Sequence, residues 1–281
     1  MYVHTPIESD SEHFRLGQPS AKKYKAPYDK GGTPIGESDG QNLLTILQGP
    51  SPYRSYILQN MATKGAAPPK DFLHVVTNVR SQVPQPLQHL FKSSDKSLVA
   101  GTIDRWTRSI YMIQAPGVRN ATRLEYALHE GVHLVADPVV PAAGACPRVC
   151  VGTFQRRYGT GFGEGATQAI TEAIMDAQNI TPYYRDRPYE VFTRPMRKIL
   201  QIFSLELFAR AYFLGVTPDF TAAMVARWGQ DWMSVAGLTT TRDAKKAVAE
   251  IDRLEAAHFN RLQRRGPKGD FPTLTRLSTM A

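Results

Sequence analysis

The sequence predicts a helix-rich α+β protein in which a small mixed sheet precedes a central helix. Three observations predict it. After residue 160, apolar residues recur at spacings of three and four through most of the chain. Earlier, LHVVTNV (73–79) and LVAGTIDRWTRSIYMI (98–113) are rich in β-branched and aromatic residues, the signature of strands. Between these regions, Leu124, Leu128, Val132 and Val135 draw one apolar stripe along a single helix.

Residues 1–41 are rich in Ser, Lys, Pro and Gly without sustained periodicity, and they are expected to form an extended or disordered arm. Residues 42–281 are expected to form one domain with a helical C-terminal part. It opens with Leu43, Leu44, Ile46 and Leu47, then Tyr56, Ile57, Leu58 and Met61, two short helices packing on a core. Residues 73–79 follow as a strand, and 98–113 as two strands around a turn at Asp104–Thr107. In the second strand Ile110 and Met112 face one side of the sheet, Tyr111 and Ile113 the other. Asn120 suits a helix N-cap. Asp137-Pro138 ends that helix, because the residue before proline is pushed out of the α region. Further helices are expected over 164–178, 190–214, 219–229 and 241–264.

The chain of 281 residues carries 34 Lys and Arg against 25 Asp and Glu, a net charge of +9. Its basic residues are scattered (Lys22, Lys23, Lys25; Arg194, Arg197, Lys198) and not interleaved with aromatics. That pattern reads as a solvated basic surface and disfavours nucleic acid as a partner. No apolar run reaches the roughly eighteen residues of a membrane span. The polar start MYVHTPIESDSEHF has neither basic nor apolar signal regions, so cytoplasmic synthesis is expected, with any export left to a dedicated machine. Cys146 and Cys150 are separated by three residues, which is not the redox or zinc-ribbon spacing; a small disulfide or two inert thiols is the expected state.

The chemistry concentrates in LHEGVH, residues 128–133. His129 and His133 are four apart on the predicted helix, so both imidazoles leave the same face and can hold one ion. Glu130 is offset by about 100° around the helix, beside the ion and placed to take a proton from water. A catalytic zinc needs three protein ligands. The string GFGEGATQAITEA offers Glu164, just after a glycine-rich turn, with Glu172 two turns later as its rival. Glu125 and Asp137 flank the histidine pair by four residues on the same helical line. They are the candidates to orient an imidazole, with Asp137 preferred and a plain surface carboxylate as the simpler account. The remaining histidines, His4, His13, His74, His89 and His258, have no partner motif.

Together, H-E-x-x-H and a downstream helix opening on E-G-x-T resemble the gluzincin branch of the zincin-like metallopeptidases. The resemblance spans about residues 98–178, with Gly163-Glu164-Gly165 standing where the aminopeptidases of that branch have Asn-Glu-Gly. It implies a zincin-like metallopeptidase fold, a Zn2+ cofactor held by His129, His133 and Glu164, and Glu130 as general base. It also implies a tyrosine that steadies the developing oxyanion, for which Tyr158 and Tyr189 are the candidates and Tyr183 and Tyr184 weaker ones. The strand RSIYMI then takes the place of the sheet edge that pairs with extended substrate. The activity implied is zinc-dependent endopeptidase hydrolysis of a protein substrate. The polar arm and the lack of an ordinary signal suit a delivered effector or toxin. Two other functions stay open: a non-catalytic binding protein of zincin fold with a basic surface, and a zinc amidase acting on cell-wall peptides.

Overall fold

The computed structural model describes residues 13–15, 33–34, 37–63, 68, 72–76, 101–104, 108–113, 120–136, 139–140, 148–150, 153–180, 190–240 and 242–264. The architecture over these residues is helix-rich α+β. Within the segment expected as an arm lie strands β1 (His13–Arg15) and β2 (Thr33–Pro34) and the start of helix α1 (Glu37–Gln48). Helix α2 (Arg54–Thr63) and strands β3 (Leu73–Val76), β4 (Gly101–Asp104) and β5 (Ser109–Ile113) follow. Helix α3 (Asn120–Ala136) carries the H-E-x-x-H string. Strands β6 (Val139–Val140) and β7 (Arg148–Cys150) come next, then helices α4 (Thr153–Tyr158), α5 (Thr160–Ala177), α6 (Glu190–Ile202), α7 (Leu205–Phe213), α8 (Thr217–Trp228), α9 (Trp232–Thr240) and α10 (Ala244–Arg264).

The sheet before α3 is mixed, as expected, in the order β2-β3-β5-β4. β3 and β5 run parallel, while β4 and β5 form an antiparallel hairpin registered Asp104 to Ser109. This corrects one expectation. β5, the RSIYMI strand, lies inside the sheet, because β3 occupies one side of its backbone and β4 the other; β4 is the outer strand. The alternation holds: Ile110 and Met112 enter the main core, while Tyr111 stacks on buried His74 at 5.0 Å between ring centroids.

α3 runs through the middle of the core. Leu128, Val132, Leu134 and Val135 are fully buried, and each such side chain stabilises the fold by about 1.5–3 kcal/mol. Gly131 lets α1 approach, since a β-carbon there would stand 3.0 Å from Leu47. A buried helix end leaves carbonyls that need donors. Here the Arg108 guanidinium donates to the Leu134 carbonyl, and Asn60 Nδ2 donates to Val135 O at 3.2 Å. The same Asn60 nitrogen donates to Phe213 O at 2.6 Å, which ties α3 to the end of α7.

Three helical expectations shift. The run 190–214 divides into α6 and α7, because Ser204 adopts an extended conformation and its side chain accepts from Leu207 N. Residues 232–240 form α9, and α10 starts at Ala244. α5 starts at Thr160, so Glu164 lies within the helix rather than at its opening. The glycines around it are packing residues. A β-carbon on Gly163 would stand 2.9 Å from Gln155, and one on Gly165 2.4 Å from the Phe192 carbonyl oxygen. They cost about 0.5–1 kcal/mol each as helical glycines and allow α4 and α6 to close on α5. No helix among the described residues is long and apolar enough to cross a membrane.

Candidate metal centre

α3 and α5 pack side by side and bring His129, His133 and Glu164 together. One ligand atom from each lies within 4.8 Å of the other two. His129 Nε2 is 3.1 Å from Glu164 Oε2, and His133 Nε2 is 3.5 Å from Glu164 Oε1. Both histidines are buried and Glu164 is about one-fifth exposed.

The far side of each imidazole is held from α5. Gln168 Oε1 lies 2.9 Å from His129 Nδ1, and Gln168 Nε2 donates to Glu125 Oε1 at 2.8 Å. A carboxylate only accepts hydrogen bonds, so Glu125 fixes the amide nitrogen on its own side and turns the carbonyl oxygen toward His129. His129 Nδ1 is therefore the protonated nitrogen. Thr167 Oγ1 lies 3.3 Å from His133 Nδ1 and donates to Gly163 O at 2.9 Å. Its one hydrogen is thus spent, and His133 Nδ1 donates to it. Both Nε2 atoms then present lone pairs toward the Glu164 carboxylate, itself an acceptor. Acceptors facing acceptors need a cation between them, a proton or a metal ion.

The residues fit a metal. Neutral imidazole with its second nitrogen donated away, plus a carboxylate, is the donor set of zinc. The three side chains are near enough to share one ion: the imidazole–carboxylate separations are 3.1 and 3.5 Å, each to its own carboxylate oxygen, and one ligand atom from each residue lies within 4.8 Å of the other two. With protons in that place instead of a metal, burial still pushes the Glu164 carboxyl up, but the charges and hydrogen bonds of His133 and His129 outweigh it and hold the group well below the usual carboxylate range.

Glu130 projects from the same helix, next to His129, and is largely buried. Glu172 stands apart from the cluster. Its oxygens accept from Arg197 Nε at 2.9 Å and from the second guanidinium nitrogen at 2.7 Å. Glu125 supports an imidazole through Gln168, whereas Asp137, the carboxylate preferred from sequence, lies outside the described residues, as does Cys146.

Tyr158 is not brought to the cluster. Its hydroxyl donates to Thr217 O at 3.1 Å and lies 2.7 Å from Thr221 Oγ1, and its ring is buried among Phe154, Phe162, Phe220 and Trp232. Burial pushes its phenol up to about 12, against the lowering by Thr221 and Arg157. The oxyanion role expected for Tyr158 thus finds its hydroxyl engaged on α8. Tyr189, Tyr183 and Tyr184 lie outside the described residues.

Sequence reasoning missed Thr167, Gln168 and Tyr212, whose hydroxyl lies 2.6 Å from Thr167 Oγ1. Thr167 and Gln168 follow Glu164 by three and four residues, the helical spacing that could have found them. Tyr212, on α7, has no such local signal. No family model matches the chain, and comparison with curated proteins and with solved structures gives no match.

Proposed function

We propose that this protein is a zinc-dependent endopeptidase of gluzincin type. One observation carries the reading: two imidazoles, each with Nδ1 turned to a polar side chain of a second helix, face their Nε2 atoms to a carboxylate delivered by that same helix. His129, His133 and Glu164 would hold the ion. Zinc, when bound, supplies a Lewis acid that polarises the scissile carbonyl and acidifies water. Glu130, one residue past His129, takes a proton from the attacking water and returns it to the leaving amine. With the Tyr158 hydroxyl engaged on α8, Tyr189 is the preferred tyrosine to donate to the developing oxyanion, ahead of Tyr183 and Tyr184.

An extended protein substrate would add to the β4 edge, which takes over from β5 as the outer strand. Gln168 and Glu125 hold His129 in the ligating tautomer whatever the substrate.

The test measures zinc per chain in wild type and Glu164→Ala, and cleavage of a denatured-protein mixture by wild type and Glu130→Gln. About one zinc in wild type, none in Glu164→Ala, and cleavage abolished in zinc-loaded Glu130→Gln is the expected result. Zinc without proteolysis but with cleavage of cell-wall peptides would shift the reading to an amidase. A folded chain that takes up no zinc would sink it and favour a binding protein.

A further inference from the structure

We propose that the C-terminal end of α10 is a docking surface for an anionic lipid bilayer. The core-facing stripe of this helix, Ala247, Ile251 and Leu254, is buried and stops at Leu254. From Phe259 to Arg264 all six residues are exposed, so about 9 Å of helix stands clear of the core. Four large apolar side chains are exposed among the described residues, and two of them, Phe259 at 59% and Leu262 at 55%, fall on this one stretch. They are three residues apart and so lie on one side of the helix, about 60° apart around its axis. Arg261 and Arg264, also three apart, lie on the opposite side.

Charge names the occupant. The acids of the preceding turns are already matched: Asp252 pairs with Lys198, and Glu255 accepts from Arg227 Nε at 2.6 Å and from Trp228 Nε1 at 2.6 Å. Arg261 donates to the Arg227 carbonyl at 2.6 Å, and neither it nor Arg264 is paired with a carboxylate among the described residues. The helix dipole favours cations in a last turn, which accounts for the arginines but gives no reason for Phe259 and Leu262 in water. Basic and apolar residues on two sides of one helix suit the surface of an anionic bilayer. There the ring and the leucine enter the acyl boundary, while the long arginine side chains reach the headgroup phosphates. The shape agrees with this occupant. A protein partner would need a groove matched to both apolar side chains, whereas a bilayer receives a projecting tip without a preformed pocket. The net charge of +9 draws the chain toward such a surface from further away. The ligand cluster lies on α3 and α5, so this surface stands or falls apart from the metal centre.

The experiment sediments the full chain with vesicles of phosphatidylcholine alone and of phosphatidylcholine mixed with phosphatidylserine. Wild type is compared with Phe259→Ser/Leu262→Ser, Arg261→Gln/Arg264→Gln and Lys245→Gln/Lys246→Gln. The last removes the same charge from exposed positions of the same helix, but about 24 Å from the proposed surface and beyond the reach of unscreened attraction. Wild type should bind the mixed vesicles and leave phosphatidylcholine in solution. Loss of both apolar side chains should lower the partition coefficient at least about 10-fold. Loss of both arginines should lower it about as much, at roughly fivefold each, and the Lys245/Lys246 variant should bind like wild type. Every substituted side chain is exposed, so melting temperatures should stay close together; if the apolar double variant does not fold, Leu262→Ser takes its place. Wild type that ignores both vesicles overturns the inference, as does binding that falls equally in the Lys245/Lys246 variant, which would be attraction by net charge alone. Sedimentation without lipid completes the test. A dimer that the Phe259→Ser/Leu262→Ser variant dissociates would give this surface to a second copy of the chain and overturn the lipid assignment. Retention on polyglutamate through Arg261 and Arg264, with no vesicle binding, would give it to an acidic polypeptide and overturn the assignment as well.

Discussion

Arg197 grips both carboxylate oxygens of Glu172, at 2.9 and 2.7 Å, and this pair separates two glutamates that look interchangeable in the sequence. A carboxylate neutralised by a bidentate guanidinium gives up its charge to that partner. Glu172→Gln is therefore expected to keep zinc at wild-type stoichiometry, while Glu164→Gln loses it. The partly buried ion pair contributes about 1 kcal/mol, so Glu172→Gln should also melt a few degrees lower. Zinc analysis beside thermal unfolding checks both halves; zinc lost from Glu172→Gln alone would move the third ligand along the helix.

Gly165 and Gly237 are both helical glycines and should respond oppositely to alanine. The β-carbon added at Gly165 meets the Phe192 carbonyl oxygen at 2.4 Å, backbone that has no rotamer to yield. Overpacking of this kind costs about 1–3 kcal/mol. At Gly237 on α9 nothing lies within 4 Å, and alanine should gain up to about 1 kcal/mol of helix propensity. Urea unfolding of the two variants gives the signs; a neutral Gly165→Ala would mean α6 does not close on α5 as described.

The same glycines show where the sequence was legible. α3 could be read because its stripe and both histidines lie within its own seventeen residues and the Asp137-Pro138 stop follows at once. The mixed sheet was legible for a similar reason, as β-branched runs mark strands locally. Gly163 reads as part of a turn and Gly165 carries no signal at all, because their actual task, admitting Gln155 and Phe192, depends on residues of other helices. β5 was placed at the sheet edge because its parallel partner β3 lies more than thirty residues upstream. The contact of Tyr212 with Thr167, 45 residues apart, leaves no trace in spacing. Tyr158 enters only as a candidate implied by the resemblance. Its hydroxyl instead answers to α8, which only the packing of the aromatic cluster reveals.

Tyr158→Phe tests that last point. If the hydroxyl serves Thr217 and Thr221, its loss leaves a buried carbonyl short of a donor and costs about 1–2 kcal/mol. Zinc content and kcat/KM should stay within about twofold of wild type. An oxyanion donor would behave differently, with kcat falling about 10²-fold or more and stability little changed. Steady-state kinetics on the substrate found for wild type, beside thermal unfolding, separates the two.

Acid should loosen the joint between α9 and α10 through Glu250. Its carboxyl is lowered to about 2, first by the hydrogen bonds of Arg253 and then by that of Ser234, with slight burial opposing. Arg253 contacts both oxygens from the same helix, at 2.8 and 2.7 Å, whereas Ser234 reaches across from α9 at 2.7 Å. A carboxyl whose folded value lies below its unfolded one binds fewer protons when folded, so it stabilises at higher pH. That contribution is fully present above about pH 4.5, the unfolded value, and disappears as pH falls toward 2. In metal-free protein, the melting temperature of wild type should therefore exceed that of Glu250→Gln at pH 7, and the two curves should converge between pH 4.5 and 2. Glu164 and Glu255 titrate in acid as well, but they are common to both proteins and cancel in the difference. High salt should shrink the gap, since Arg253 is solvent-exposed. A difference that stays constant down to pH 2 would mean that Glu250 carries no charge-dependent tie between the helices.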